Sequence, residues 1–281
     1  MTYFYKFLSR NATANENENL IASRELKIRL LLFFIFSASF LLAVPAASAE
    51  FSLFRSGVQM KGTIVKGDYK KLATFIRDSH FGEFTERFFL DSNGGDVVEA
   101  MKIANLVNKM YGHTVVKTAG NCFSACAVIW AGGVVRTIGE EGRLGLHRIS
   151  LVSDEPSVSK TEQKIRPVAD SVESFLLRMG IPRRLLDKMN ETSSTDLFLI
   201  DTRWLQNEEL YLPMTYSPIF VDVAQKRCGT NPLIGFFKSN QKLLDPTKLE
   251  FWNICLNHER FRISFDERNL WWPLLTREVE K

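Results

Sequence analysis

Ser124 stands in the segment Asn121-Cys122-Phe123-Ser124-Ala125-Cys126, between the turn Ala119-Gly120-Asn121 and an apolar stretch, Phe123 to Trp130, that ends at Gly132-Gly133. A hydroxyl at the start of a helix can act as a nucleophile toward a carbonyl. For that it needs a base to take its proton, an acid to orient the base, and two donors for the oxyanion. The backbone N–H of Ala125 lies next to such a hydroxyl, and helix N-termini favour developing negative charge. Gly94-Gly95 closes an earlier strand, and glycines without Cβ let backbone N–H groups approach a reacting carbonyl. His147 falls at the end of a later strand and is the candidate base. Of the four histidines, the others, His80, His113 and His258, fall in loop-like or C-terminal contexts.

Each feature has a plainer explanation. A serine at a helix start is most often an N-cap, a glycine pair after a strand is most often a turn, and a lone histidine is commonly a hydrogen-bonded structural residue. Only their combination carries a chemical reading.

The elements that must position these residues follow from periodicity. Val58 to Val65 alternates like a strand, and Tyr69 to Asp78 sets Leu72, Phe75 and Ile76 at helical spacing. Arg87 to Leu90 is a short apolar strand running into Asp91-Ser92-Asn93-Gly94-Gly95. Val97 to Tyr111 is a helix, Thr114 to Lys117 a strand, Val134 to Ile138 and Gly145 to Ile149 two more strands. Residues 151 to 160 read as a surface loop, Thr161 to Met179 as a long amphipathic helix, and Pro182 to Met189 as a shorter one with proline in its first turn. Helices alternating with strands predict an α/β layered sheet with flanking helices. Beyond about residue 215 the alternation stops. The tail, rich in Trp and Phe, reads as a small accessory domain or C-terminal wrap.

The 281 residues include 45% apolar and 24% charged side chains, enough for a substantial core. The net charge of +4 is dispersed, with no basic tract or aromatic-basic interleaving, so nucleic acid is not expected as a partner. Arg24, Lys27 and Arg29 precede the apolar run Leu30 to Val44 and the small residues Pro45-Ala46-Ala47-Ser48-Ala49. This order reads as a secretory signal peptide cut after Ala49. The run, about 15 residues, is shorter than the roughly 20 of a membrane-spanning helix. An uncut signal would instead leave the chain at a membrane. Four cysteines follow. Cys228 and Cys255 are expected to pair, closing a moderate loop. Cys122 and Cys126 are either bridged, if Cys122 precedes the helix, or a free buried pair. They lack partners at ligand spacing, so no metal is expected, and no cofactor.

The ordered blocks Phe89-Leu90-Asp91-Ser92-Asn93-Gly94-Gly95-Asp96-Val97, Gly120-Asn121-Cys122-Phe123-Ser124-Ala125-Cys126-Ala127 with Gly132-Gly133, and Arg143-Leu144-Gly145-Leu146-His147 resemble the proteolytic subunit of Clp proteases and its periplasmic Clp-like relatives. The resemblance spans roughly residues 58 to 213. It reaches Glu191-Thr192-Ser193-Ser194-Thr195-Asp196-Leu197-Phe198-Leu199, which looks like the family's acid segment, and Leu205 to Leu212, which looks like its closing helix and last strand. It implies a ClpP/crotonase-like fold with a small C-terminal appendage, divided as residues 1–49 (extension and signal), 50–214 (ClpP/crotonase-like domain) and 215–281 (accessory segment). It also implies a triad of Ser124, His147 and Asp196, with Asp201 and Asp187 as competing acids, and an oxyanion hole from Gly94, Gly95 and Ala125. The expected activity is an exported, periplasmic or secreted bacterial serine endopeptidase acting on a protein or peptide, in a chain that could be a homo-oligomer. Two rivals stay open. One is a non-catalytic periplasmic binding module that keeps the fold; the other is an acyl-thioester enzyme that uses the two N–H groups for an enolate.

Overall fold

The structure is a computed structural model of the chain. It describes residues 48–55, 57–79, 87–150, 158–200, 214–230, 232 and 246–277. Two sheets and flanking helices make a mixed α/β fold. The larger sheet has six strands in the order β1-β2-β3-β4-β6-β9, and the smaller has three, β5-β7-β8. In the larger sheet β1 (Glu50–Phe54) runs antiparallel to β2 (Gly57–Lys61). Then β2, β3 (Arg87–Asp91), β4 (His113–Val116) and β6 (Val135–Ile138) are parallel. Parallel strands are covered on both faces and read as continuous apolar runs, which is why Phe88, Phe89 and Leu90 are all buried. The smaller sheet joins β5 (Asn121–Phe123) parallel to β7 (Arg143–Leu146) and β7 antiparallel to β8 (Phe198–Ile200).

Three helices seal the parallel strands. In α1 (Asp68–Asp78) Leu72, Ala73 and Ile76 face inward. The second, α2 (Val97–Lys109), starts at Asp96, whose side chain accepts from Glu99 N at 2.9 Å, an N-cap that satisfies an otherwise orphaned first-turn donor. Every residue of α3 (Ala125–Gly132) is buried, as expected for a helix apolar on all sides. Helix α4 (Val158–Arg178) and helix α5 (Arg183–Glu191) follow, and the fully buried Arg136 of β6 ties them in by donating to Gly133 O and Met179 O.

The C-terminal segment shares this core. The expected boundary at 214–215 cuts through β9 (Met214–Tyr216), which pairs antiparallel with β6. Helix α6 (Pro218–Cys228) and helix α7 (Pro246–Asp266) pack Phe220, Ala224, Trp252, Leu256 and Ile263 against Val134 and Val135. Cys228 and Cys255 are bridged across them, with Cα atoms 5.6 Å apart. Leu275 of α8 (Arg268–Arg277) is buried in the main cluster. No helix of the described residues is long and apolar enough to cross a membrane.

The structure departs from the sequence expectations at several points. Strand β1 falls in Glu50–Phe54, a stretch given no element, because its pairing with β2 is tertiary. The turn Ala119-Gly120-Asn121 gives way to β5, so Ser124 follows a strand. Strand β7 lies at 143–146 instead of 145–149, and β2 stops at Lys61. His113 is not in a loop: it begins β4 and is 8% exposed. The closing segment 205–212 and the apolar run 30–44 lie outside the described residues. Ser48 and Ala49, on the signal side of the expected cut, are held in the fold: Ala49 is fully buried. The buried Asp68 carboxylate accepts from Ser48 Oγ at 2.7 Å, Ala49 N at 3.3 Å and Val65 N at 2.8 Å. A cut after Ala49 would strip it of two of these three donors.

Candidate active site

Ser124 sits at the junction of β5 and α3 with φ 55° and ψ −123°. This is outside the regions that a side chain with a Cβ ordinarily occupies, and such conformations persist only where surroundings over-determine them. Three constraints do so here. Ser124 N donates to Gly145 O of β7 at 2.9 Å, and Ala127 N donates to Ser124 O at 2.9 Å. The third is covalent: Cys122 in β5 and Cys126 in α3 are bridged across the serine, Cα atoms 5.1 Å apart, and both are fully buried. Because Cys122 lies in the strand before the helix, the bridge does not span a regular helical turn, which resolves the alternative left open by sequence.

The glycine turn is packed directly on this junction. The strand β3 continues to Ser92, whose N donates to Asn121 O at 2.7 Å while Phe123 N donates to Ser92 O at 3.0 Å, so the two sheets meet there. Gly94 has φ 102° and Gly95 φ 138°, values that favour glycine. A Cβ on Gly94 would lie 2.7 Å from Ser124 Cβ, so the approach of turn to serine requires its absence. Gly94 N donates to Ser92 Oγ at 3.1 Å. It is therefore a close-packing residue whose own donor is occupied. Ile64 N donates to Gly94 O and Asp96 N to Ile64 O, both at 2.8 Å. This parallel bridge leaves the Gly95 N–H on the other edge of the segment. Neither Gly95 N nor Ala125 N is hydrogen-bonded to a described residue.

Gly95, Ser124, Ala125 and His147 line one cavity of about 480 Å³, whose remaining wall includes Val128, Leu146, Val172 and Met189. His147 directly follows β7 and is half-buried. Its Nδ1 lies 2.8 Å from Arg148 O. A carbonyl only accepts, so Nδ1 carries the proton and, in the neutral ring, Nε2 keeps its lone pair. No hydrogen bond joins Ser124 Oγ to the ring. Asp196 is exposed in the turn before β8. The β7–β8 register pairs Leu146 with Phe198; carried two residues further, it brings Asp196 level with Arg148. Its carboxylate makes no hydrogen bond or ion pair with a described residue. Asp187 is exposed on α5, and Asp201 lies outside the described residues. Among the described residues, no three His, Cys, Asp or Glu side chains cluster to hold a metal.

The sequence reading missed two groups: Ser92 Oγ, which holds Gly94, and the Arg148 carbonyl, which holds the imidazole. Ser92 could have been found as a polar side chain in an otherwise apolar strand end. A backbone carbonyl leaves no sequence signal.

No family model matches the chain, and no curated protein does. Among solved structures, a mutant of the 1510-N membrane-bound stomatin-specific protease aligns with TM-score 0.40 at 17% identity, over 53% of this chain and 73% of that one.

Proposed function

We propose that the chain is a serine hydrolase of the ClpP/crotonase type, acting on peptide bonds outside the cytosol. One observation carries the reading: Ser124 is held in a strained conformation at a helix N-terminus, in one cavity with His147 and two unengaged N–H groups. In this mechanism His147 Nε2 takes the Ser124 proton, Oγ attacks the carbonyl, and Gly95 N and Ala125 N bind the oxyanion. His147 then returns its proton to the leaving amine, and water reverses the sequence to release the acyl group. The apolar wall of Val128, Leu146, Val172 and Met189 suits an apolar side chain beside the scissile bond. Asp196 is the acid in this account, turning toward His147 when substrate closes the site; catalytic hydrogen bonds are often long in empty sites. The two disulfides fit an oxidising compartment.

A second reading, a binding module that has kept the fold, draws support from the unmade Ser124–His147 hydrogen bond. Hydrolysis of unfolded protein substrates separates the two. Turnover by the wild type that is lost in both Ser124→Ala and His147→Ala supports the hydrolase; no turnover by folded wild type, with peptide binding retained, supports the module.

A further inference from the structure

Helix α7 is apolar on two opposite faces. Trp252, Leu256 and Ile263 pack inward. On the outer face Phe251 is 68% exposed, Ile254 58%, Phe261 41% and Phe265 70%. With exposed His258 these positions run 251, 254, 258, 261, 265, alternating steps of three and four. That is the a/d seam of a helix that pairs with another helix. A helix apolar all round is ordinarily covered, and monomers rarely expose a contiguous apolar patch above a few hundred Å².

From this seam we infer that the chain forms a two-fold symmetric dimer in which α7 packs antiparallel against the α7 of a second copy. Three features select a second copy as the cover. The stripe is close to symmetric about His258, with a phenylalanine seven residues to either side and an apolar residue three or four away. A surface of that kind complements itself when reversed, as a two-fold interface requires. Both ends carry mixed charge: Lys248 and Glu250 at one, Asp266 and Arg268 at the other. Antiparallel packing brings opposite signs within a turn of each other, whereas parallel packing would set each residue against its own copy. The area also suffices. At roughly 200 Å² for a large side chain, the four exposures leave about 450 Å² per copy. With the flanking residues the pair approaches the roughly 1,200 Å² of a stable interface.

The test is sedimentation of the full chain at tens of micromolar. The expected result is a dimer that becomes a monomer in Phe251→Asp/Phe265→Asp. Both side chains are exposed, so the melting temperature of the variant should stay within a few degrees of the wild type at limiting dilution. His258→Cys should cross-link two copies under mild oxidation, while Lys226→Cys, on α6, should not. Three results would overturn the inference: a monomeric wild type, a dimer that survives the double substitution, or a monomer whose 251–265 amides are already protected because another part of the chain covers them. A monomer that binds phosphatidylglycerol vesicles through Phe251 and Phe265 would assign the face to a lipid surface instead.

Discussion

Removing the Cys122–Cys126 bridge should damage chemistry more than stability, and removing Cys228–Cys255 should do the reverse. In the loop-closure account a cross-link with a sequence separation of 4 contributes about 2 kcal/mol and one of 27 about 3.5 kcal/mol. Cys228→Ala/Cys255→Ala is therefore the more destabilising change. Its site lies on α6 and α7, away from the Ser124 cavity, so the reaction rate of the remaining folded protein should change less than about twofold. Cys122→Ala/Cys126→Ala instead frees the residue at φ 55°, a conformation that costs on the order of 1–3 kcal/mol. If the bridge is what offsets that cost, the productive conformer falls by about 5- to 150-fold at 1.36 kcal/mol per decade. The assay is the second-order rate of covalent inactivation by a fluorophosphonate, measured at a temperature where both variants are folded by circular dichroism. Equal rates in the two variants, or a slower rate in Cys228→Ala/Cys255→Ala, would refute the reasoning.

Four further outcomes are expected. Gly95→Ala, whose Cβ would meet Ile64 O at 2.1 Å, should abolish inactivation and destabilise the fold, whereas Gly67→Ala, with φ 102° but nothing within 4 Å, should lose only about 1 kcal/mol and keep its reactivity; equal losses in both would sink the close-approach argument. His113 is pulled down to about 3 from its ordinary 6.5, first by burial and then by Arg260 and Arg87, so the unfolded chain binds a proton there that the folded one does not. Stability should then fall as pH drops from about 6 toward 3, by about 1.4 kcal/mol per unit from this group, and urea titrations of His113→Gln should show a shallower acid limb; an unchanged slope would count against it. Asp196→Asn should slow turnover by up to about 10⁴-fold if its carboxylate orients His147, and by less than tenfold if the Arg148 carbonyl is enough. The intact mass of the exported protein should include Ser48 and Ala49, since Asp68 needs their donors; a chain beginning at Glu50 would contradict this.

Much of the fold is legible because helical and strand periods are local. The runs around Leu72, Phe88 and Val107 announce their elements without reference to neighbours, and the order of the serine and histidine blocks points to one cavity. What was not legible is pairing. Strand β5 has three residues, too few for a period of two to register, and exists because Asn121, Cys122 and Phe123 match Arg143, Leu144 and Gly145. Strand β1 likewise owes its form to β2. Gly94 and Gly95 looked alike in sequence, yet the bridge to Ile64 and the hydroxyl of Ser92 give them different tasks. The tail was hard to read because α7 is apolar on opposite faces, which blurs the single stripe that marks an ordinary surface helix.

The most direct test of the account is a fluorophosphonate adduct mapped by peptide mass spectrometry on the folded, oxidised protein. The account predicts one adduct, on Ser124, absent in His147→Ala and in Ser124→Ala. Wild-type protein with both disulfides formed and no adduct at Ser124, or an adduct that persists without His147 at the same rate, would contradict it.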